Sequence, residues 1–329
     1  MTRYRYAARL NSFATRPELF WPERDERPTT LDLIDRAATV EGLTALDVNF
    51  PQQTEGLGLP ELRGRIADRG LTLNGFAMRY NGDPSFRSGA FTNADPAIRR
   101  HAIDLTRRGI DETREAGGRM LTIWPGQDGV DHPFGADYAR LFDWEVAGIR
   151  EVAEHAPDFP VSIEYKPSEP RSIMILPNVS ATLLAIAEAG APNLGVTLDF
   201  GHVLEADTSP AMAAALVGRR SRLLGLHMND GYGHRDDGLM VGAVHTVQTI
   251  ELLRQLRRDG FAGAIYFDTF PDVAALDPVA ECAANITTIE AMFDVIDRLP
   301  EAELEAALQR QDAVAAHRIV QAAIFGRDA

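Results

Sequence analysis

The chain holds one cysteine in 329 residues, Cys282, which excludes an intrachain disulfide framework and suits a reducing compartment. It has no apolar run near the ~20 residues that a membrane helix needs. The opening Met-Thr-Arg-Tyr-Arg-Tyr lacks the apolar core of a signal peptide, so a cytoplasmic location is expected. Positive charge is also short: 33 Lys and Arg against 48 Asp and Glu leave a net charge of −15. Nucleic acid and anionic membrane both call for a basic footprint, so neither is an expected partner. Gly231-Tyr-Gly233 and Gly117-Gly118 lack the spacing of a nucleotide-binding loop, and no Gly-x-Ser-x-Gly elbow exists. Cys282 falls inside a helical pattern, a poor place for a nucleophile.

Carboxylates at the ends of apolar runs are what the chain does have. Four runs in its second half each close on a side chain able to bind a metal: Val-Ser-Ile-Glu164, Gly-Val-Thr-Leu-Asp199, Leu-Leu-Gly-Leu-His227 and Ala-Ile-Tyr-Phe-Asp268. Short Val- and Ile-rich runs bounded by Pro or Gly read as buried parallel strands, and each is followed by a helix-length segment. Earlier strands are expected over 6–13, 43–50, 71–79 and 120–125. Helices are expected from Thr29-Thr30 to Val40, Pro60 to Arg69, Asp95-Pro96 to Ala116, and from Gly135 to about Ala156. Further helices are expected near 179–190, 208–219, 245–258 and 274–298. Eight strand–helix pairs without a break predict a single (β/α)8 barrel over residues 1–298. One more helical segment, 301–325, makes residues 299–329 a C-terminal extension that packs on its own barrel or on a neighbouring subunit. The stretch Phe20 to Arg27 is expected to be a loop with exposed aromatics at Phe20 and Trp21.

In such a barrel the C-terminal strand ends share one mouth. Three carboxylates and an imidazole there, with no Lys or Arg at the matching positions, would repel one another unless a cation held them. Glu164, Asp199, His227 and Asp268 are therefore the expected ligands of a divalent metal. Oxygen donors with one or two imidazoles suit Mn²⁺, Mg²⁺ or Co²⁺. Strand alternation puts Lys166 on the same face as Glu164, where it either serves a developing alkoxide or forms a plain ion pair with that glutamate. Lys166, Glu164 and Asp268 are the candidate catalytic groups. His202, one tight turn after Asp199, is a candidate for a second cation, completed by one or both of Asp236 and Asp237; the alternative is a solvated charged loop. Trp124 either floors a sugar pocket or packs in the core. Asn49, Gln52, Arg79 and Gln127 end strands or open their loops and are placed to meet hydroxyls, as is Glu169 in the fifth loop.

These residues resemble the xylose-isomerase-like barrels. Gly89-Ala-Phe-Thr-Asn-Ala-Asp-Pro-Ala-Ile-Arg-Arg100 looks like the opening of their third barrel helix, and Ile163-Glu-Tyr-Lys-Pro-Ser-Glu-Pro-Arg171 is close to their metal and lysine motif. Asp199-Phe-Gly-His202, His227-Met-Asn-Asp230 and Asp236-Asp-Gly-Leu-Met-Val-Gly242 look more like the L-rhamnose isomerase branch, and the chain length suggests a smaller relative of the D-apiose isomerase kind. The resemblance implies an aldose–ketose isomerase acting on an unphosphorylated sugar with one or two divalent metals. It implies the four ligands above for the first metal, Asp199 bridging to a second with His202 and the Asp236/Asp237 pair, and Lys166 steadying the oxygen on C1 during a hydride shift. It also implies a homodimer or homotetramer. Two departures stand out. Pro51 replaces the histidine that opens the sugar ring, and the second-site Asp-x-Asp pair reads Asp236-Asp237-Gly238. A proton-transfer sugar epimerase on the same barrel is the nearest rival; a barrel endonuclease suits the charge poorly, and a non-catalytic sugar binder has no use for Lys166.

Overall fold

The computed structural model describes residues 4–22 and 27–326. Eight parallel strands close into a barrel: β1 (Arg5–Arg9), β2 (Ala45–Phe50), β3 (Thr72–Met78), β4 (Met120–Ile123), β5 (Val161–Glu164), β6 (Leu194–Asp199), β7 (Leu223–Met228) and β8 (Ala264–Phe267), with β8 pairing back onto β1. Between and after them run the barrel helices α1 (Thr30–Ala37), α2 (Leu59–Asp68), α3 (Pro96–Glu115), α4 (Tyr138–His155), α5 (Val179–Ala189), α6 (Pro210–Arg220), α7 (Thr246–Arg258) and α8 (Pro278–Asp297). This is a (β/α)8 barrel, as the strand–helix alternation predicts. No helix of the described residues is long and apolar enough to cross a membrane.

The apolar runs divide by parity. In β6, Leu194, Val196 and Leu198 join the layer under the helices, together with Val161 and Ile163 of β5, Leu226 and Met228 of β7, and Ile265 and Phe267 of β8. The residues between them turn inward, where Ala7, Ala45, Ala264 and Tyr266 form a small separate cluster and Ser162 Oγ meets Thr197 Oγ1 at 2.6 Å. Because successive side chains alternate, that parity also sends Asp47, Asn49, Glu164, Asp199 and His227 inward. The pairing of Asp199 with His227 across β6 and β7 sets two of them level.

Departures from expectation are local. The first strand stops at Arg9, because Leu10–Ala14 turns into a short 3₁₀ helix that buries Leu10 and Phe13, with Ser12 Oγ donating to Thr269 O at 2.9 Å. The loop after β4 is not wholly irregular: Gly129–Val130 pairs antiparallel with Ile173–Met174 of the loop after β5. The segment expected as one helix over 274–298 is a short turn of helix at Pro271–Ala274 followed by α8, which Asp277 caps. The extension is two helices, α9 (Glu301–Gln309) and α10 (Ala313–Phe325), broken where Gln311 has a positive φ of 54° and Asp312 caps the second. It packs on its own barrel, with the Arg298 guanidinium donating to Ala323 O at 3.1 and 3.2 Å. Phe20 ends a short helix, Pro17–Phe20, and Trp21 lies half-buried with the Arg36 guanidinium 5.0 Å above its ring, so neither is the exposed aromatic expected; residues 23–26 of that loop lie outside the described residues.

Candidate metal centre at the barrel mouth

The four strand tips converge. Glu164, Asp199, His227 and Asp268 each present one ligand atom, and these atoms all lie within 4.8 Å of one another. His227 Nδ1 is 3.2 Å from Glu164 Oε1, 3.8 Å from Asp268 Oδ2 and 4.0 Å from Asp199 Oδ2. All four residues are buried. Asp268 follows β8 directly and keeps its place through its own N–H, which donates to Met228 O at 3.2 Å. Asp199 ends β6 and caps the short helix Phe200–Glu205, its Oδ1 accepting from His202 N at 3.0 Å.

The electrostatics describe a shortage of positive charge. Burial pushes the Asp199 carboxyl up to about 7, with the neighbouring Asp236, Asp268 and Glu164 adding to the shift against the pull of His202. Burial also disfavours the charged His227 ring, yet Glu164, Asp268 and Asp199 together raise it to about 9. Glu164 is pushed up by burial and pulled down further by His227, ending about 2. Protons are thus drawn into the cluster to do what a cation does better. Asp268 Oδ1 is buried without a hydrogen-bond partner, and the nearest cation, Arg9 Nε, stays 3.6 Å from it. Three carboxylate donors, one imidazole and an orphaned carboxylate oxygen fit a divalent cation such as Mn²⁺, Mg²⁺ or Co²⁺.

Beside this cluster lies a second group with a different balance. Lys166 Nζ is buried and donates to Asp236 Oδ2 at 3.0 Å, and lies 3.0 Å from Glu169 Oε2. It is paired with those two acids rather than with Glu164. His202 Nε2 lies 3.3 Å from the same Asp236 oxygen, while its Nδ1 lies 2.9 Å from Tyr165 O. Burial works against the Asp236 carboxylate, but His202 and Lys166 hold it well below the usual carboxylate range. Asp237 is not brought to this group. Its Oδ1 accepts from Arg235 Nε at 2.7 Å and its Oδ2 from Tyr232 N at 2.8 Å, so of the residues expected around a second cation only His202 and Asp236 meet, with Asp199 alongside.

A cavity of about 1360 Å³ opens above both groups and is lined by Asn49, Gln52, Arg79, Trp124 and Glu169 among others. Trp124 faces this cavity, and the Arg79 guanidinium lies 5.4 Å over its ring. Asn49 is buried and its N–H donates to Gln53 Oε1 at 2.7 Å, while Gln52 Nε2 donates to Asn81 Oδ1 at 2.9 Å. Gln127 does not line this cavity; its Oε1 is buried and unpartnered.

Three residues at the mouth were not singled out from sequence. Arg9, the last residue of β1, supplies a cation that the strand-end reading did not count. Asp47 sits on the inner face of β2, takes a hydrogen bond from Asn74 Nδ2 at 2.8 Å, and is pushed up to about 6 by burial. Asn229, buried, reaches both oxygens of Asp199. Inward parity is the signal that could have found the last two: Asp47 is two residues before Asn49, and Asn229 two after His227.

The chain has relatives of known kind. A family model described as a xylose isomerase-like TIM barrel matches residues 34–292. Xylose isomerase of Thermus thermophilus is 25% identical over 224 residues, 66% of this chain and 58% of that protein. The enzyme of Thermus caldophilus is 27% identical over 192 residues, 56% of this chain and 50% of its own length. The chain thus spans little more than half the length of these curated relatives. Among solved structures, D-allulose 3-epimerase from Methylomonas sp. in complex with D-allulose superposes with a TM-score of 0.68 at 16% identity, covering 89% of this chain and 98% of that one.

Proposed function

The chain belongs to the xylose isomerase-like TIM barrel family, and on that premise we propose that it is a divalent-metal-dependent aldose–ketose isomerase acting on an unphosphorylated sugar, with D-apiose to D-apulose the first conversion to assay. Glu164, Asp199, His227 and Asp268 hold one cation, of Mn²⁺, Mg²⁺ or Co²⁺. When bound, that cation polarises the sugar carbonyl and the adjacent hydroxyl. Lys166 hydrogen-bonds the oxygen on C1, where negative charge develops as hydride passes between C2 and C1. Asp236 and Glu169 aim the lysine and keep it protonated, their attraction outweighing the burial that opposes its charge. Trp124 and Arg79 form one wall of the sugar pocket, Asn49 and Glu169 contact hydroxyls, and the closed barrel below excludes water from the reacting carbons. His202 and Asp236 are the residues available to a second cation. The working unit is a homodimer or homotetramer.

The observation that carries this reading is Lys166, a buried ammonium lining the same cavity as Glu164 and Asp268 of the four-residue cluster and fixed by two acids at 3.0 Å each. A sugar epimerase on this barrel moves a proton between two carboxylates long enough to reach the substrate carbon. Here the eighth-strand acid is Asp268, one methylene shorter than a glutamate. A metal-supplemented assay across D-apiose, L-rhamnose, D-xylose and other aldoses and ketoses tests the proposal. Run in deuterated water, the recovered product is expected to carry no solvent deuterium at the reacting carbon; deuterium there would establish the epimerase route. Absence of turnover on the whole panel by metal-loaded protein would leave only a binder.

A further inference from the structure

We propose that Asn229 is the positioning residue of the metal centre, and that it works by fixing the Asp199 carboxylate before a cation arrives. This rests on the cluster being a cation site, and not on which reaction the chain performs. Asn229 is fully buried one residue past β7, on the inward parity that also carries His227. Its side chain has only one possible orientation. Gly201 N donates to Asn229 Oδ1 at 2.8 Å, so the opposite end must be the NH₂ group. That NH₂ lies 3.2 Å from Asp199 Oδ1, 3.2 Å from Asp199 Oδ2 and 3.3 Å from Asp268 O.

One amide therefore ties the tips of β6, β7 and β8 together. It holds the plane of the Asp199 carboxylate by both oxygens, which leaves the carboxylate little freedom to rotate away from Glu164 and His227. Through Gly201 it also holds the Asp199–His202 turn, so the same residue places His202 beside Asp236. Nothing else is expected to replace it: among the described residues the only other hydrogen-bond donor to Asp199 is the backbone His202 N, and it reaches Oδ1 alone. Groups that orient ligands in this way affect cation affinity by roughly 10- to 100-fold when removed.

The test is calorimetric titration of the metal-free full chain with Mn²⁺. Asn229→Leu, close in size but without the amide, is expected to weaken Mn²⁺ binding at least tenfold. In an Asp199→Ala background, titrated at millimolar Mn²⁺ so that the weakened three-donor site still fills, the same change is expected to cost little more, because the side chain through which Asn229 acts is already gone. A residue that merely supports the fold would lower affinity equally in both backgrounds, and that outcome overturns the proposal, as does unchanged Mn²⁺ affinity in Asn229→Leu. Should Asn229→Leu fail to fold, Gly201→Ala serves instead. Its Cβ would sit 3.0 Å from Asn229 Oδ1 and 3.4 Å from Nδ2, displacing the amide without deleting it. A smaller loss of affinity, again absent in the Asp199→Ala background, is expected; no loss overturns the proposal. Because binding is read directly, the result stands apart from whether any sugar is turned over.

Discussion

Two groups of ionisable side chains lie side by side at the barrel mouth, and they are built on opposite principles. Around Lys166, Asp236, Glu169 and His202, the chain supplies its own positive charge: the ammonium sits 3.0 Å from each acid. Around Glu164, Asp199, His227 and Asp268, three carboxylates face one imidazole of their own, the His202 ring (shared with Asp236) 3.7 Å from Glu164 and 3.9 Å from Asp199, and a guanidinium no nearer than 3.6 Å. Buried charge is costly unless it is paired, so the second arrangement calls for something from outside while the first does not. The contrast separates the group proposed to receive a cation from the group proposed to act beside it.

The largest expected effect comes from breaking the uncompensated side. Glu164→Gln and His227→Ala each remove one of four donors, and each is expected to abolish Mn²⁺ retention on gel filtration and sugar turnover together. A cation at 100 times its dissociation constant adds about 2.7 kcal/mol to stability. The unaltered chain should therefore melt at a lower temperature after chelation, and these two variants should not respond to chelator. Full activity in either would place the site elsewhere.

Breaking the compensated side should separate binding from chemistry. Lys166→Met removes the ammonium but none of the four donors, so Mn²⁺ affinity is expected to stay within a few-fold of the unaltered chain. Turnover should fall by a factor on the order of 10²–10³, the usual effect of deleting one donor to a developing oxyanion. Equal losses in affinity and turnover would mean that Lys166 only braces the metal centre.

The difference also has a signature in pH. His227 is raised to about 9 by its carboxylate neighbours, against about 6.5 in an unfolded chain. A raised folded-state value means stability fully present below about pH 6.5 and lost as pH climbs through 9. Burial raises Asp199 as well, to about 7, and this too removes stability as pH rises above the unfolded carboxylate range near 4. The metal-free protein is thus expected to melt several degrees lower at pH 9 than at pH 6.5. With saturating Mn²⁺ the two melting temperatures should draw together, because the cation replaces those protons. Parallel decline with and without Mn²⁺ would mean that the protons and the cation do not compete.

Much of this is legible in the sequence. The four strand ends were visible because each apolar run stops on a ligand, and alternation did the rest: residues in step with the ligand turn inward, and those between them pack under the helices. What escaped the sequence depends on approach in space between residues with no shared pattern. Arg9 lies inside the strand expected over 6–13 and becomes a strand end only because Leu10 to Ala14 leave the extended conformation to bury Leu10 and Phe13. Asn229 looks like an ordinary loop residue until Gly201 N is seen against its oxygen. Asp236 and Asp237 are equivalent in sequence, and only the turn they share tells them apart.

That turn yields the smallest effect and the sharpest limit on the comparison. Asp236 points down to Lys166 and His202, whereas Asp237, one residue on, points back to Arg235 and to the backbone of Tyr232. Asp237→Asn keeps an oxygen for Tyr232 N and weakens only an ion pair whose arginine is exposed and screened by water. Mn²⁺ affinity and stoichiometry, read by calorimetry, are expected to stay within twofold, while Asp236→Asn should disturb Lys166 and lower turnover in the sugar assay. A drop in the number of cations bound by Asp237→Asn would show that the loop rearranges to bring this carboxylate inward. The two groups at the mouth would then share their charge rather than divide it.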